Sequence, residues 1–234
     1  LAEHRVGCII TLGGDGTNRL VAKGCGDIPL LPVSTGTNNV FPSMVEGTIA
    51  GLAAGLLATG KVNRDIALNR MKKLIILVNG REVDLALVDA AVLDVQFIGS
   101  RAIWDVGNLR QIVATRGELT NIGIASIIGA LHPLSPADPR GIAVEIGPGG
   151  TRVLAALGPG LFSTVPVASY HLLNPGDRIA VSKAPCVIAL DGEREVEVKA
   201  GDRAELLLSS DGPFVVNIAG TLDIAAKQGL FRLN

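Results

Sequence analysis

The sequence predicts an α/β portion with a parallel sheet at its N-terminal end, followed by an all-β, sandwich-like portion. Three observations carry this expectation. Apolar runs that end in glycine-rich polar turns alternate with helical segments over about residues 1–60. Beyond residue 140, short apolar runs recur between turns rich in Gly, Pro, Asn and Asp. Aromatic residues make up only 3% of a chain that is 48% hydrophobic, so Val, Ile, Leu and Ala must fill the core. That composition suits strands buried on both faces and closely packed helices.

Residues 6–12 (VGCIITL) read as a strand running into Gly13-Gly14-Asp15-Gly16-Thr17. Residues 18–25 read as a short helix, and 28–33 as the next strand, ending in Ser34-Thr35-Gly36-Thr37-Asn38-Asn39. Residues 46–58 follow as a helix. Strand, turn, helix repeated twice implies βαβ units and a parallel sheet. Two strands are few for such a sheet, and the chain starts at Leu1 on the edge of a core strand, so further residues are expected ahead of it.

After residue 60 the pattern changes. Residues 73–78 read as a strand, Asn79-Gly80 as a type I′ hairpin turn, and 83–95 as the returning strand. Residues 100–114 read as a helix with Ile103, Leu109, Ile112 and Val113 inward. Residues 121–131 fit either helix or loop. Strands are then expected at 142–146, 152–157, 178–182, 186–190, 194–198, 204–208 and 214–218, with 222–234 returning to the first portion. The resulting division is 1–60 for the α/β portion and 61–221 for the β-rich portion.

Composition narrows the function. Net charge is −1 with no basic cluster and almost no aromatics to stack on bases, so nucleic acid is not expected as a partner. The longest apolar stretch, residues 48–59, is too short to span a bilayer, and no membrane partner is expected. Cys8, Cys25 and Cys186 lie far apart, as do His4, His132 and His171, which argues against a disulfide framework or a zinc site and favours a reducing cytoplasm. Exposed sheet edges make a homo-oligomer the expected assembly.

The chemistry concentrates in the two turns. Glycines at a strand end let backbone N–H groups approach an anion, and a following helix N-terminus adds a favourable dipole. Asp15 stands out, because a carboxylate beside bound phosphates repels them unless it holds Mg²⁺ or accepts the proton of an attacking hydroxyl. The plainer alternative is an ordinary turn with Asp15 as helix N-cap. Thr35, Thr37, Asn38 and Asn39 offer hydroxyls and amides to ribose or phosphate oxygens, or simply cap the next helix. Both turns lie at strand carboxyl ends, where parallel sheets bind ligands. Asp191-Gly192-Glu193, alone, reads as a common hairpin turn. Trp104 reads as core, Asp94 and Asp105 as solvated or capping residues before metal-related ones, and Arg101, Arg110 and Arg116 as residues one of which could meet a phosphate.

Taken in order, the GGDGT turn, the Gly-Thr-Asn motif about twenty residues later and the late Asp-Gly-Glu resemble the NAD-kinase/diacylglycerol-kinase superfamily. The string Thr35-Gly36-Thr37-Asn38-Asn39-Val40-Phe41-Pro42 is most similar to the branch called ATP-NAD kinase-like, or acetoin-catabolism protein X. The resemblance implies a nucleotide cleft between the two portions, with ATP, Mg²⁺ and NAD as cofactor or substrate. It implies that Gly13, Gly14, Asp15 and Gly16, with Thr17 behind them, form the phosphate-binding turn, with Asp15 catalytic. Thr37 and Asn38 match the second nucleotide contact, with Thr35, Gly36 and Asn39 beside them, and Asp191 and Gly192 match the lipid-kinase motif. Asp89, after Val88, is the best counterpart of an acid that follows Asn in NAD kinases; the amide is lost. Residues 121–126 lack most hydroxyls of the loop that shapes the dinucleotide site, and Asn39 replaces a lipid-kinase acid. The implied reaction is phosphoryl transfer from ATP to a hydroxyl of NAD or a related small molecule. The alternatives are a lipid-type kinase and a non-catalytic nucleotide-binding regulator of acetoin catabolism.

Overall fold

The computed structural model describes residues 6–94, 106–192 and 194–233. Strand β1 (Ile9–Leu12) leads through the first glycine turn into helix α1 (Asp15–Ala22), and β2 (Leu30–Val33) lies parallel to β1. Every residue of β2 is buried, which matches an uninterrupted apolar strand covered on both faces. Helix α2 (Gly47–Ala58) is N-capped by Glu46, whose carboxylate accepts the Thr48 and Ile49 amides. Its Ala50, Ala53, Ala54 and Leu57 are buried at helical spacing against the sheet and α5 (Ile218–Lys227).

The first sheet has four strands in the order β1-β2-β14-β3. Its third parallel strand, β14 (Phe214–Val216), comes from the far end of the chain, and β3 (Leu68–Arg70) closes the sheet antiparallel. The short α3 (Arg64–Ala67) packs on α5. The chain therefore re-enters the first layer at residue 214, and the stretch read from sequence as a strand over 214–218 divides into β14 and the start of α5.

The β-rich portion stacks two antiparallel sheets. Strands β10 (Arg178–Ala180), β13 (Ala204–Ser209), β4 (Lys73–Val78) and β5 (Arg81–Ala86) lie in that order in one; in the other the order is β12 (Arg194–Val198), β11 (Cys186–Leu190), β6 (Asp89–Leu93), β7 (Leu109–Ala114), β8 (Gly141–Gly158) and β9 (Leu161–Leu173). Strands β4 (Lys73–Val78) and β5 (Arg81–Ala86) form the expected hairpin. Asn79 and Gly80 both have positive φ, 52° and 76°, as a type I′ turn demands. Leu74, Ile76, Val92, Ile188, Leu206 and Leu208 fill the space between the sheets. On the other face of the larger sheet, α4 (Ile124–Leu131) buries Ile124, Ile127 and Ile128 against Ile112, Ile142 and Val165. Each such side chain contributes about 1.5–3 kcal/mol of burial.

Three further expectations change. Residues 106–108 form a 3-10 turn and β7 (Leu109–Ala114) is a strand, not the end of a helix. It lies between β6 and β8 with Leu109, Gln111, Ile112, Val113 and Ala114 all buried. A central strand covered on both faces loses the alternation that marks a strand. Residues 100–105 of that expected helix, with Arg101, Trp104 and Asp105, lie outside the described residues, as does Glu193. The single strand expected over 83–95 is two, β5 and β6 (Asp89–Leu93), because the chain crosses between sheets at Leu87 and Val88. Finally, β8 (Gly141–Gly158) runs on through Gly147-Pro148-Gly149-Gly150, which forms bulges in its pairing with β9 (Leu161–Leu173), a strand the periodicity did not reveal. No helix among the described residues is long and apolar enough to cross a membrane.

Candidate nucleotide site at the two glycine turns

The first turn starts where the Gly13 amide donates to the Val33 carbonyl at 3.0 Å, tying it to the end of β2. Gly14 is the extended N-cap of α1 and Asp15 the first helical residue, so Asp15 is not the cap. Asn18 braces the turn: its amide donates to the Gly14 carbonyl at 2.8 Å and its oxygen accepts the Thr11 hydroxyl at 2.6 Å. In the second turn the Ser34 hydroxyl donates to the Gly36 carbonyl at 2.7 Å and accepts Asn39 Nδ2 at 2.8 Å.

The two turns are locked together. The Asp15 carboxylate accepts the Val40 amide at 3.0 and 3.1 Å and the Phe41 amide at 2.7 Å, and the residue is only 8% exposed. A Cβ on Gly14 would stand 2.6 Å from Asn39 Oδ1, and one on Gly13 would stand 2.6 Å from the Thr17 hydroxyl. The glycines thus let the protein's own second turn and helix approach. Gly16 is buried, Gly14, Gly36 and Asn39 are half-buried, and Thr17, Thr35, Thr37 and Asn38 form an exposed polar lip.

Behind the lip lies a buried charged cluster joining the two portions. Asp191, at positive φ in the turn between β11 (Cys186–Leu190) and β12 (Arg194–Val198), has a buried carboxylate. It accepts the Leu87, Val88 and Asp89 amides at 2.8–3.3 Å, capping the place where the chain changes sheets. The Asp191 amide donates to the Asp89 carbonyl at 3.0 Å. Arg19, one helical turn after Asp15 and 2% exposed, brings Nη1 within 3.3 Å of Asp84 and Nε within 3.8 Å of Asp191. Neither nitrogen meets a carboxylate in hydrogen-bond geometry, so these are ion pairs held by proximity. Lys23 reaches Asp84 at 2.6 Å. Arg116, 4% exposed, lies over the Phe41 ring at 5.2 Å from its centroid.

Burial pushes the Asp191 carboxyl up to about 7; the amides it accepts pull it back, Asp15 pushes it further and Arg19 opposes. Asp89 is raised well above the carboxylate range by burial first, then by Asp191 and Asp15, and its Oδ1 has no hydrogen-bond partner. Burial lowers Arg116 to about 10 despite the attraction of Asp15 and Asp191. Four acids and two arginines thus share one buried space, with Lys23 at its exposed edge, and of the acids Asp89 and Asp191 are driven towards their neutral forms.

Of the residues singled out from sequence, the structure gathers both turns on one surface and puts Asp89 and Asp191 in the layer beneath. Asp15 and Phe41 connect the two. Arg19, Lys23 and Asp84 escaped sequence reasoning, although the spacing of Asp15 and Arg19 on one helix face was visible. The exposed hydroxyls and amide of the lip fit ribose and phosphate oxygens. Mg²⁺ fits less well: Asp15 is committed to main-chain amides, Asp89 and Asp191 are drawn towards neutrality, and no group of three or more potential ligands converges among the described residues.

Residues 1–62 match the ATP-NAD kinase N-terminal domain, and residues 72–211 match the acetoin catabolism protein X C-terminal domain. The acetoin catabolism protein X of Cupriavidus necator is 38% identical over 239 residues, a match covering 99% of this chain and 67% of that protein. Among solved structures, yeast NADH kinase in complex with NADH shares the fold, with a TM-score of 0.57, 16% identity, and 98% of this chain and 69% of that one covered. With a NAD-kinase-type first domain joined to this C-terminal domain, the chain belongs to the acetoin catabolism protein X family.

Proposed function

We propose that the chain binds a nucleotide at the polar lip and transfers a phosphoryl group from ATP to a hydroxyl of NAD or a related small molecule. One observation supports this above others: two polar turns at neighbouring strand ends are locked into a single surface, with Thr17, Thr35, Thr37 and Asn38 open to solvent. Hydroxyls and an amide can hold ribose and phosphate oxygens without the repulsion a free carboxylate would bring. The NAD-kinase-type first domain, and a fold shared with a kinase solved with NADH, favour a dinucleotide there.

Phosphoryl transfer asks more of Asp15. To orient or deprotonate an acceptor hydroxyl, its carboxylate must exchange the Val40 and Phe41 amides for that hydroxyl. Mg²⁺ would enter with the triphosphate, held chiefly by its oxygens. The commitment of Asp15 to the second turn favours a second reading, a non-catalytic nucleotide sensor in acetoin catabolism. A cytoplasmic location agrees with either reading, with Cys8, Cys25 and Cys186 all free. So does a homo-oligomer through an open edge such as β9.

Calorimetry with ATP, NAD and NADP, with and without Mg²⁺, paired with chromatography for a phosphorylated product, separates these readings. Turnover that disappears in Asp15→Asn while binding survives supports the kinase. Binding without turnover selects the sensor. Absence of binding to all three nucleotides removes both.

A further inference from the structure

Arg116 is only 4% exposed, yet its guanidinium has no acid of its own. Among the described residues no carboxylate lies within ion-pair distance of it. Its Nε is buried and meets no acceptor, and the one hydrogen bond it makes there runs from Nη2 to the Met71 sulfur at 3.5 Å. Asp15, Asp191 and Glu118 attract it from farther off, and Lys72, itself buried against the Asp138 and Arg140 carbonyls, repels it. A guanidinium carries five N–H donors in a planar fork, and burying them without acceptors is costly. Arg19, by contrast, has Asp84 and Asp191 beside it.

The main chain on either side keeps Arg116 in place. Thr115 donates its amide to the Val88 carbonyl at 2.8 Å and its hydroxyl to the Leu87 carbonyl at 2.7 Å, and the Gly117 amide donates to the Leu134 carbonyl at 2.9 Å. The guanidinium is covered by Phe41, whose ring centroid stands 5.2 Å away, and the amide of the same Phe41 donates to the Asp15 carboxylate at 2.7 Å. One residue therefore shields a base and holds an acid. Its loop is pinned at both ends, by the Ser34 amide on the Ser43 carbonyl at 2.9 Å and the Ser43 amide on the Pro32 carbonyl at 3.2 Å. Between those pins, Val40 and Phe41 tie it to Asp15.

On the reading that the lip binds a nucleotide, we infer that Arg116 is the cation that receives a phosphate of that nucleotide, and that Phe41 covers Arg116 and Asp15 together until the phosphate arrives. A phosphate offers the planar fork two oxygens at once and meets hydrogens that the protein itself leaves unmet. To reach Arg116 it draws the Phe41 ring aside, and the Phe41 amide leaves Asp15 in the same movement. The carboxylate is then released only when a phosphate is in place, and Arg116 offsets the repulsion between the two.

Calorimetry on the intact chain with ATP, adenosine and inorganic triphosphate compares the parent with Arg116→Met, which removes the charge at similar volume. ATP affinity should fall about tenfold or more while adenosine affinity holds. The urea midpoint should stay or rise, since no ion pair is broken. In the parent, amide exchange at Val40 and Phe41 should quicken with ATP and not with adenosine. Unchanged ATP affinity, an equal loss for ATP and adenosine, or a lowered urea midpoint with ATP affinity kept overturns the inference. Inorganic triphosphate bound as tightly as ATP makes the site one for a free oxyanion and overturns it as well. The exchange measurement uses the unaltered protein, so a variant that fails to fold leaves it standing: exchange at Val40 and Phe41 that is unchanged or slower with ATP is decisive against the shared cover. A parent that binds no nucleotide removes the reading of the lip, a result distinct from binding that ignores Arg116.

Discussion

The lip and the cluster beneath it are built from opposite materials. The lip is neutral and exposed: Thr17, Thr35, Thr37 and Asn38. The cluster is charged and dry: Asp15, Arg19, Asp84, Asp89, Arg116 and Asp191 are all buried or nearly so. Neutral donors and acceptors exchange water for a ligand at little cost, so they suit recognition. Buried charges gain little net stability from pairing but lose heavily when one partner goes. They suit fixing a unique relation between two layers, here α1 of the first and the β5–β6 crossing of the second.

That contrast can be broken at its strongest point first. Arg19→Met leaves Asp191 buried without its counter-charge and Asp84 with Lys23 alone, and should cost about 3–5 kcal/mol in urea unfolding. A loss below about 1 kcal/mol would mean that the cluster is not the joint between the layers.

A smaller effect comes from proton linkage. Asp89 and Asp191 have folded-state pKa values above their unfolded ones, Asp191 at about 7 from 3.8. The folded protein then binds more protons than the unfolded chain between about pH 4 and 7, so this contribution weakens as pH rises across that window and further where Asp89 titrates. The urea midpoint should fall from pH 5 to pH 8, and Asp89→Asn should flatten the fall. An unchanged slope in that variant would place the linked proton elsewhere.

The smallest expected effect on stability lies at the lip. Thr37→Val should leave the urea midpoint within about 0.5 kcal/mol of the parent. The same change should weaken nucleotide binding several-fold, because a lost hydroxyl contact costs about 1 kcal/mol. Calorimetry on the variant reads the affinity, and unchanged affinity would move the site away from the lip.

Much of the frame was legible. The two strand-turn-helix passages, the Asn79-Gly80 hairpin and the helix over 46–58 each announce themselves by local rules of glycine freedom, turn chemistry and helical spacing. Strand β7 did not, since a strand covered on both faces carries no polar alternation. A strand was expected at β14, but not its place beside β2, which lies far back in the chain. Within the site, the residue types of both turns were readable, while the partners of Asp15 were not: Val40 and Phe41 contribute amides, which no side-chain pattern reveals.

The sequence by itself determined where the chain turns, which turns carry glycine and hydroxyl groups, and which family those turns resemble. These are properties of neighbouring residues, set by backbone sterics and side-chain reach. Only the tertiary structure decided that the Asp15 carboxylate faces the second turn, that Arg19 meets Asp84 and Asp191, and that Asp89 is driven towards its neutral form. The reason is desolvation: the state of a buried charge depends on every segment that covers it, and those segments come from distant parts of the chain.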